Sequence, residues 1–576
     1  MHIRQLSRFA ALLALFALLA PAAAIADGTD LKNVHDANLA GNPKTALALA
    51  EPVITAALAA QDYDTALAAI LEKTAATAAI EGRAGPAAAA RVLTAHFEKA
   101  PPALKPMLAA ALAHTWQNHY RNHRWQLLER SRAQTNGTDG DGTDAETWDA
   151  TRVRAEIQRY HALALADAAA LQRTPVTAFG AVLESGQRPD ALRPTLYDFL
   201  IHDAIAFHSL GEQGTTQAED HFQLTADSPL LGTLEAFLAW RPQTTDTDSS
   251  ELQAIRLFQA VLRFHQNDTL ALALSDADLH RILWASKTLG KADGTDAATE
   301  RALRAHIERW KNHEPAADAA AELALHLRYE KPLEAYKAAA LGIALHPAST
   351  AAARCRSIIA NIEDPEFDAL ETEAVWNAPT PEITITYRNI ETLHFRAIAA
   401  DWHEFLARER SRPNSLNDAE FADFLKKAPA KTWQVALPKT ADYATRKHSI
   451  TAPTDLPHGF YFIVASVNEN FSLKKNALLY TTVWVSDLAL VFNGSTPNNG
   501  TESFNTRGYV LNAITGEPVP DATVTGWYLN RSRERVKVQP AKTDGTGAFS
   551  LQSPSGNNML LLAESADGHR ICSDNA

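Results

Sequence analysis

Disulfide bonds cannot hold this protein together, because its 576 residues include only two cysteines, Cys355 and Cys572. Secreted folds that are stapled by disulfides use many more cysteines than this. The two thiols also lie far apart, in regions of different predicted structure, so we expect them to stay unpaired. Stability must therefore come from hydrophobic cores, and at about 100–200 residues per domain the length predicts roughly three to five domains.

The chain has fewer basic than acidic residues. Lys and Arg number 54 against 67 Asp and Glu, which gives a formal net charge of −13. Because a protein must neutralise phosphates in order to bind nucleic acid, this balance disfavours a nucleic-acid partner. Long apolar runs are also missing after residue 26, so we expect no transmembrane segment in the mature chain.

Sequence motifs of catalysis are missing too. The chain has no G-x-S-x-G elbow, no Walker phosphate loop and no paired-cysteine zinc cluster. We find no nucleophile next to a visible base. The sequence therefore predicts no enzymatic activity, no catalytic residue and no cofactor.

The N-terminus has the three parts of a secretory signal peptide over residues 1–26. Arg4 and Arg8 form the charged part, residues 10–20 the apolar part, and Ala24-Ile25-Ala26 an A-x-A cleavage site. The apolar part is too short for a stable membrane span, and a short buried helix is the alternative interpretation. No cysteine follows it, so a lipid anchor is not expected there. The sequence thus predicts an exported protein of the periplasm or cell envelope, with a mature chain that begins at Asp27.

An α-helical array is predicted for residues 27–370. Alanine and leucine dominate this region, and apolar residues recur at intervals of three and four, as at Leu47, Ala50 and Ile54. Breaks such as Gly85-Pro86 predict helices of ordinary length, so we expect an array of antiparallel helical hairpins. Residues 63–80 resemble a tetratricopeptide helix, but a scaffold without a strict repeat explains the region equally well.

Two antiparallel β-sandwich domains are predicted after the helices, which makes the fold class multidomain α plus β. The first covers residues 375–486, with a helical insertion at 402–427, and the second covers 487–576. The second domain ends shortly after a strand and is expected to be incomplete, with an unpaired edge. Runs of alternating residues rich in valine, threonine and aromatics mark the strands at 383–387, 393–398, 433–437, 459–464, 481–485, 487–491, 548–551 and 559–563.

We expect alternating residues to build the sandwich cores, among them Phe460, Phe462, Val464, Val483 and Val485. Side chains alternate across a strand. Trp484 is therefore predicted to lie on the opposite face from Val483 and Val485.

Three segments offer metal ligands, and in each we favour a structural interpretation. His403-Glu404 begins the zinc motif H-E-x-x-H, but position 407 is alanine, so the second histidine is missing. His119 and His123 are one helical turn apart, with His114 nearby, and a half-buried helix with a polar face is favoured over a metal site. Residues 139–144 lack the glycine and glutamate of a calcium loop at the required places, so an exposed loop is favoured.

Gly545-Thr546-Gly547 could begin a dinucleotide-binding fingerprint. Serine stands at position 550, however, and strands rather than a helix are expected after the glycines. We therefore predict a hairpin turn here.

Segments spread over most of the mature chain resemble the bacterial alpha-2-macroglobulin-like family. In the second β domain, Gly516-Glu517-Pro518-Val519 and the later Thr543–Phe549 are similar to a macroglobulin domain. Arg193–Ala204 resembles a segment of the family's helical front part, Tyr387–Phe395 its first macroglobulin strand pair, and Tyr480–Leu488 the junction between two such domains. The resemblance implies that both sandwiches are macroglobulin (immunoglobulin-like) domains.

The family resemblance implies an endopeptidase inhibitor that acts by protease entrapment, with proteases as partners. A protease cuts a bait segment, the molecule collapses around it, and in many members a sheltered thioester of the form Cys-x-Glu-Gln then acylates the protease. Here Cys355 is followed by Arg-Ser-Ile and Cys572 by Ser-Asp-Asn, so neither forms such a thioester. The bait and thioester parts lie downstream in the family, so the chain is interpreted as the N-terminal portion of a member: either these parts were cut away or this form lacks them.

Two other functions stay open at this point. One is an envelope scaffold or binding module made of helical repeats and immunoglobulin-like domains, with envelope proteins or glycans as partners. The other is a hydrolase in which these domains are accessories.

Overall fold

The computed structural model describes residues 29–82, 85–133, 148–184, 186, 188–210, 222–225, 227–377, 380–406, 415–497, 504–530, 532, 534–554 and 559–573. The predicted signal peptide, with Ala24 and Ala26, and the loop at 139–144 lie outside these ranges. The chain divides into a helical unit (Met1–His326 with Ala338–Arg356) and a β unit (Leu327–Lys337 with Ser357–Ala576). Helices precede antiparallel sheets along the chain, so the predicted fold class is confirmed.

The helices of the described residues are numbered in chain order. They are α1 (Thr29–Leu39), α2 (Pro43–Ala59), α3 (Tyr63–Glu81), α4 (Gly85–Lys99), α5 (Lys105–Ala133), α6 (Ala150–Ala164), α7 (Ala168–Leu171), α8 (Leu196–His208), α9 (Leu234–Ala239), α10 (Ser250–His265), α11 (Leu272–Leu289), α12 (Thr295–Trp310), α13 (Pro315–Leu327), α14 (Pro332–Leu345), α15 (Thr350–Glu363), α16 (Trp402–Leu406) and α17 (Asp418–Phe424).

Local hydrogen bonding explains where the helices begin. Asp62 caps α3 by accepting a hydrogen bond from the Thr65 amide. Thr195 and Asp198 form a capping box at the start of α8, in which each side chain binds the other residue's backbone. From α1 to α6, each helix packs against the next one along the chain, which agrees with the predicted succession of hairpins.

The strands are also numbered in chain order. They are β1 (Glu366–Thr372), β2 (Val375–Trp376), β3 (Glu382–Arg388), β4 (Thr392–Ala400), β5 (Lys431–Ala436), β6 (Arg446–Thr451), β7 (Gly459–Ser466), β8 (Leu478–Val485), β9 (Leu488–Pro497), β10 (Phe504–Asn512), β11 (Thr523–Leu529), β12 (Arg535–Lys537), β13 (Ala541–Lys542), β14 (Ala548–Ser553), β15 (Leu560–Glu564) and β16 (Arg570–Cys572).

Four sheets form two successive sandwiches. The first sandwich pairs the sheet β1-β3-β6 with the sheet β2-β8-β7-β4-β5, and the second pairs β14-β10-β9 with β12-β11-β15-β16, where β13 also pairs with β11. All these pairings are antiparallel except that of β2 with β8. Strand β1 begins at Glu366, before the predicted domain boundary at 375, and it pairs with β3 along its length.

The sheet β2-β8-β7-β4-β5 is buried on both faces. This burial corrects the core that the sequence predicted. Val483 and Val485 face the core between the two sheets, as predicted. Phe460, Phe462 and Val464 instead lie on the opposite face, together with Trp484. Nearly every residue of β7 is buried. A strand that is buried on both faces has a continuous apolar sequence, so no alternation was available to assign its residues to one face or the other.

The outer face of this sheet is covered from two directions. The predicted helical insertion supplies α16 and α17, and the Phe424 ring lies 4.5 Å from that of Phe462. The second sandwich supplies Trp527, Leu560 and Leu562 to the same cluster. The two sandwiches therefore share a hydrophobic cluster, which we call the junction core: Ile398, Trp402, Phe405, Phe424, Phe460, Phe462, Val464, Phe471, Trp484, Trp527, Leu560, Leu562 and Cys572.

The turn predicted at Gly545–Gly547 is present, but it is not a hairpin. Asp544 accepts hydrogen bonds from the amides of Thr546 and Ala548, and Gly547 has a φ of 76°. A Cβ on Gly547 would lie 2.6 Å from the Val510 carbonyl oxygen, so only glycine fits. The flanking strands β13 and β14 belong to different sheets, so the turn carries the chain from one sheet of the sandwich to the other.

Within the described ranges, none of the helices combines the length and the apolarity needed to cross a bilayer.

Substitution of neighbouring residues of β8 should damage two different cores. Trp484→Ala should cost about 3–5 kcal/mol, as for other buried tryptophans, and should expose the insertion that packs beside it. We expect limited proteolysis with mass spectrometry to show faster cleavage between residues 402 and 427. Val483→Ala is the matched control: it should lower the free energy of unfolding without selective cleavage of the insertion. Identical cleavage patterns for both variants would contradict the two-sided arrangement.

Candidate functional site

Helix α8 brings buried polar side chains into the middle of the helical unit. Its apolar residues Leu196, Leu200 and Ala204 are buried. The same helix also carries Asp198, His202, Asp203 and His208, which lie among neighbouring helices rather than in solvent. We call the polar groups that surround α8 the histidine–carboxylate network. Sequence analysis missed it, because a polar residue on a helix usually marks the solvated face.

The first part of this network is a chain of three side chains. His265, at the end of α10, places Nε2 2.6 Å from Asp198 Oδ1 and Nδ1 2.6 Å from Asp268 Oδ2. Burial opposes protonation of His265, but the hydrogen bonds and charges of Asp198 and then Asp268 raise its pKa. Burial would raise the pKa of Asp198, yet the hydrogen bond and charge of His265 lower it. The pair therefore favours imidazolium and carboxylate.

The arrangement of Asp198, His265 and Asp268 does not suit nucleophilic catalysis. The hydroxyl nearest to it, Thr195 Oγ1, donates to Asp198 Oδ2 at 2.7 Å and caps α8. In a triad the base that takes the proton from the hydroxyl is the histidine. Here the aspartate lies between Thr195 and His265, so the geometry supports a structural tie between α8 and α10.

The second part of the network centres on Asp203. His114 Nε2, from α5, lies 3.0 Å from Asp203 Oδ2, and His161 Nδ1, from α6, lies 3.8 Å away. Burial opposes the charged form of His114, but the charge of Asp203 and its hydrogen bond raise the pKa of His114. Burial lowers the pKa of His161 to about 4 in spite of Asp203. The charge of Asp203 thus favours protonation of His114, whereas burial keeps His161 neutral near pH 7.

The histidines singled out in the sequence do not converge on one point. His119 and His123 stack with ring centroids 4.6 Å apart, at a place where α5 departs from helical geometry at His123. His114 turns instead to Asp203. Neither His119 nor His123 belongs to a group of three metal-ligating residues among those described, and the arrangement agrees with the polar-face interpretation.

A third group, His202, Asp276 and His280, has the spacing of a metal site. One ligand atom from each residue can be chosen so that all three lie within 4.8 Å of one another. Burial lowers the pKa of His202 to about 4 and that of His280 to about 3. Both imidazoles are therefore neutral near pH 7, the form that binds metals.

Two guanidinium groups already pair with the carboxylate of this third group. Asp276 is 1% exposed, with Arg193 Nε 3.2 Å from Oδ2 and Arg188 Nη2 3.2 Å from Oδ1. Arg193 Nη2 also lies 2.5 Å from His280 Nδ1. A metal cation would have to enter beside both positive charges. The group therefore acts as an anchor that holds the segment at 188–193 to α11.

The remaining sequence candidates lie apart from one another. His403 and Glu404 are exposed on α16, and Glu404 pairs with Lys427 at 3.7 Å. Position 407 lies outside the described residues. Cys355 and Cys572 are both buried and are not joined by a disulfide, so the expectation that they do not pair with each other is confirmed.

Acid should destabilise the helical unit through its buried neutral histidines. Burial lowers the pKa of His208 from 6.5 to about 3, with His161 and Arg154 acting in the same direction. A depressed histidine pKa means that the unfolded chain binds the extra proton first, so stability is present above pH 6.5 and is lost as the pH falls towards 3. His208→Gln should reduce the slope of unfolding free energy against pH by up to about 1.4 kcal/mol per pH unit.

Urea unfolding at several pH values between about 7 and about 4 measures this slope. His403→Gln, at an exposed position, is the control and should leave the slope unchanged. An unaltered slope for His208→Gln would show that His208 does not titrate in this way.

Removal of the charge of Asp276 should leave Arg193 without its buried counter-ion and Arg188 with Asp318 alone, whose Oδ2 lies 2.7 Å from Nη2. A broken buried pair costs about 3–5 kcal/mol, but the two arginines keep 38% and 36% exposure. Solvent screening lowers our expectation for Asp276→Asn to about 2 kcal/mol. The control is Glu308→Gln, which breaks the exposed pair with Lys311 and should cost close to nothing; an equal loss in both variants, measured by urea unfolding, would contradict the anchoring role.

The comparisons with known proteins add no relative. No protein-family model matches this chain, and no curated protein matches its sequence.

Proposed function

We propose that this chain is the N-terminal portion of an exported bacterial alpha-2-macroglobulin-like protein, an endopeptidase inhibitor that acts by protease entrapment. In this proposal the chain contributes the frame of the trap and no reacting group. The main support is the succession of two antiparallel sandwiches that share one junction core. Localisation in the periplasm or cell envelope, after cleavage behind Ala26, belongs to the same proposal.

Three segments of the family resemblance lie at connections between strands. Tyr480–Leu488 covers the end of β8, the connection between the sandwiches and the start of β9. Thr515–Pro518 forms the turn between β10 and β11, where Asn512 Oδ1 accepts hydrogen bonds from the amides of Ile514 and Thr515. Tyr387–Phe395 joins β3 to β4, which belong to different sheets of the first sandwich. Each segment thus lies at a connection that sets the order of the strands.

A frame for entrapment has to hold its walls together, and the junction core contributes to this. Trp402 packs against Phe460 with ring centroids 4.8 Å apart and against Trp484 at 5.8 Å. Trp527 of the second sandwich is 92% buried in the same cluster, with 8% of its surface exposed. Aromatic residues bury large areas in restricted geometries, so the sandwiches resist sliding past each other.

A size-selective inhibition assay tests this function. We expect the reading frame to continue past the Ala576 codon through bait and thioester parts. The protein expressed from the full frame should abolish cleavage of a folded protein substrate by a susceptible protease. Cleavage of a small peptide should continue, because a trap excludes substrates by size and leaves the active site open.

The chain 27–576 alone is the matched control and should inhibit neither reaction. Equal inhibition of both substrates by the full protein would indicate blockade of the active site and would contradict entrapment. No inhibition of either substrate would favour the second candidate function.

That second candidate is an envelope scaffold or binding module. One observation favours it: Val491 and Tyr509 lie directly opposite each other on β9 and β10 and are 46% and 42% exposed. They form a small apolar patch on the outer face of the second sandwich, a position suited to contact with another protein.

A further inference from the structure

Three loops of the β unit bring His458, Asp487 and His569 together. His458 precedes β7, Asp487 connects the two sandwiches between β8 and β9, and His569 lies in the turn from β15 to β16. His458 Nδ1 lies 3.1 Å from His569 Nε2. Asp487 Oδ1 lies 3.3 Å from His458 Nε2, and Oδ2 lies 3.7 Å from His569 Nδ1. We call these three residues the junction triad.

The backbone of each triad residue is fixed by its surroundings. The Asp487 carbonyl accepts a hydrogen bond from the Ala513 amide at 2.7 Å. The His569 amide donates to Ser565 Oγ at 3.1 Å. Gly459, next to His458, pairs with Val485 at the end of β8. The side chains are thus presented by three loops whose backbones are tied to neighbouring segments, as a preformed site requires.

Hydrogen bonding within the triad leaves one imidazole nitrogen without a proton. Two neutral imidazoles carry two N–H groups, which serve the contacts at 3.1 Å and 3.3 Å. With His458 donating to Asp487 and accepting from His569, the bare Nδ1 of His569 faces the second carboxylate oxygen. A cation placed among the three residues would satisfy both lone pairs and the carboxylate.

The charges around the triad also favour a cation. Asp567 adds a second carboxylate, with Oδ2 3.9 Å from His569 Nε2. Arg570, the neighbouring cation in sequence, pairs with Glu564 at 2.9 Å instead. This is the opposite of the group at His202, Asp276 and His280, where two guanidiniums supply the positive charge. The triad side chains keep 30–38% exposure, so an ion can reach them from solvent.

We infer that the junction triad is a binding site for a divalent transition-metal ion, with Zn²⁺ as the best match. Two imidazole nitrogens and one carboxylate oxygen are the donor set that Zn²⁺ accepts, with water in the fourth position. Ligand atoms around a tetrahedral zinc ion at about 2.0–2.2 Å lie roughly 3.3–3.6 Å from one another. One ligand atom from each triad residue can be chosen so that all three lie within 4.8 Å of one another, so small side-chain rotations complete the site.

A metal ion here would join the two sandwiches. His458 belongs to the first, His569 to the second, and Asp487 to the connection between them. The site is independent of protease entrapment, so its failure would leave the proposed function untouched.

Zinc titration of the chelator-treated chain tests the site. We expect isothermal titration calorimetry with Zn²⁺ to show one tightly bound ion per chain. Thermal unfolding with and without Zn²⁺ should show that the ion raises the unfolding midpoint of the β unit. His458→Ala, His569→Ala and Asp487→Asn should each weaken this binding by at least about tenfold. Circular dichroism should show that the variants stay folded, since the triad side chains are partly exposed.

His403→Ala is the matched control, because it removes an exposed histidine of the same unit outside the triad. It should leave both affinity and stoichiometry unchanged. Absence of stoichiometric binding, or binding that survives all three triad substitutions, would overturn the inference.

Discussion

Buried carboxylates fix the arrangement of the helical unit. The side chains of Asp198 and Asp276 are 1% exposed and that of Asp203 is 11% exposed. An ionised carboxylate at such depth costs several kcal/mol unless it is paired, so each can be accommodated only where a particular partner stands. Those partners lie on different elements: His265 on α10, His114 on α5 and Arg193 before α8. Since two of the carboxylates project from α8, a shift of that helix by one residue would separate both from their partners. Apolar contacts tolerate such shifts better, so the network adds specificity to a core made largely of alanine and leucine.

The β unit is specified by a different constraint, which is burial of one sheet on both faces. Strands β4, β7 and β8 supply the core between the two sheets of the first sandwich on one side and the junction core on the other. Here no charge network sets the register. Instead, a slip of one residue would exchange Tyr461 and Ile463 with Phe460 and Phe462, which would place side chains of the wrong shape in two cores at once. The two units thus reach a unique fold by electrostatic pairing in one case and by shape in the other.

The elements that the sequence predicted are those whose side-chain pattern is local. Apolar periodicity identified the helical region, and alternation identified β3, β4, β5 and β8, because long amphipathic elements carry their own signal. Strands β1, β6, β12 and β16 were missed, since they are short or lie at sheet edges where alternation is weak. The histidine–carboxylate network and the junction triad were missed for another reason: His458 and His569 are 111 residues apart, and only the tertiary fold makes them neighbours. A sequence pattern reports on local period, whereas these sites depend on which loops the fold brings together.

The proposed frame and the proposed metal site meet at one place for a physical reason. Apolar burial is strong but non-directional, so the junction core can hold two sandwiches together without fixing their relative rotation completely. Directional groups are needed to fix it, and the triad supplies them from both sandwiches and from the connection itself. Tyr480–Leu488, the segment that resembles a domain junction, contains both Trp484 of the junction core and Asp487 of the triad. This one segment therefore contributes both an apolar and a directional contact between the sandwiches.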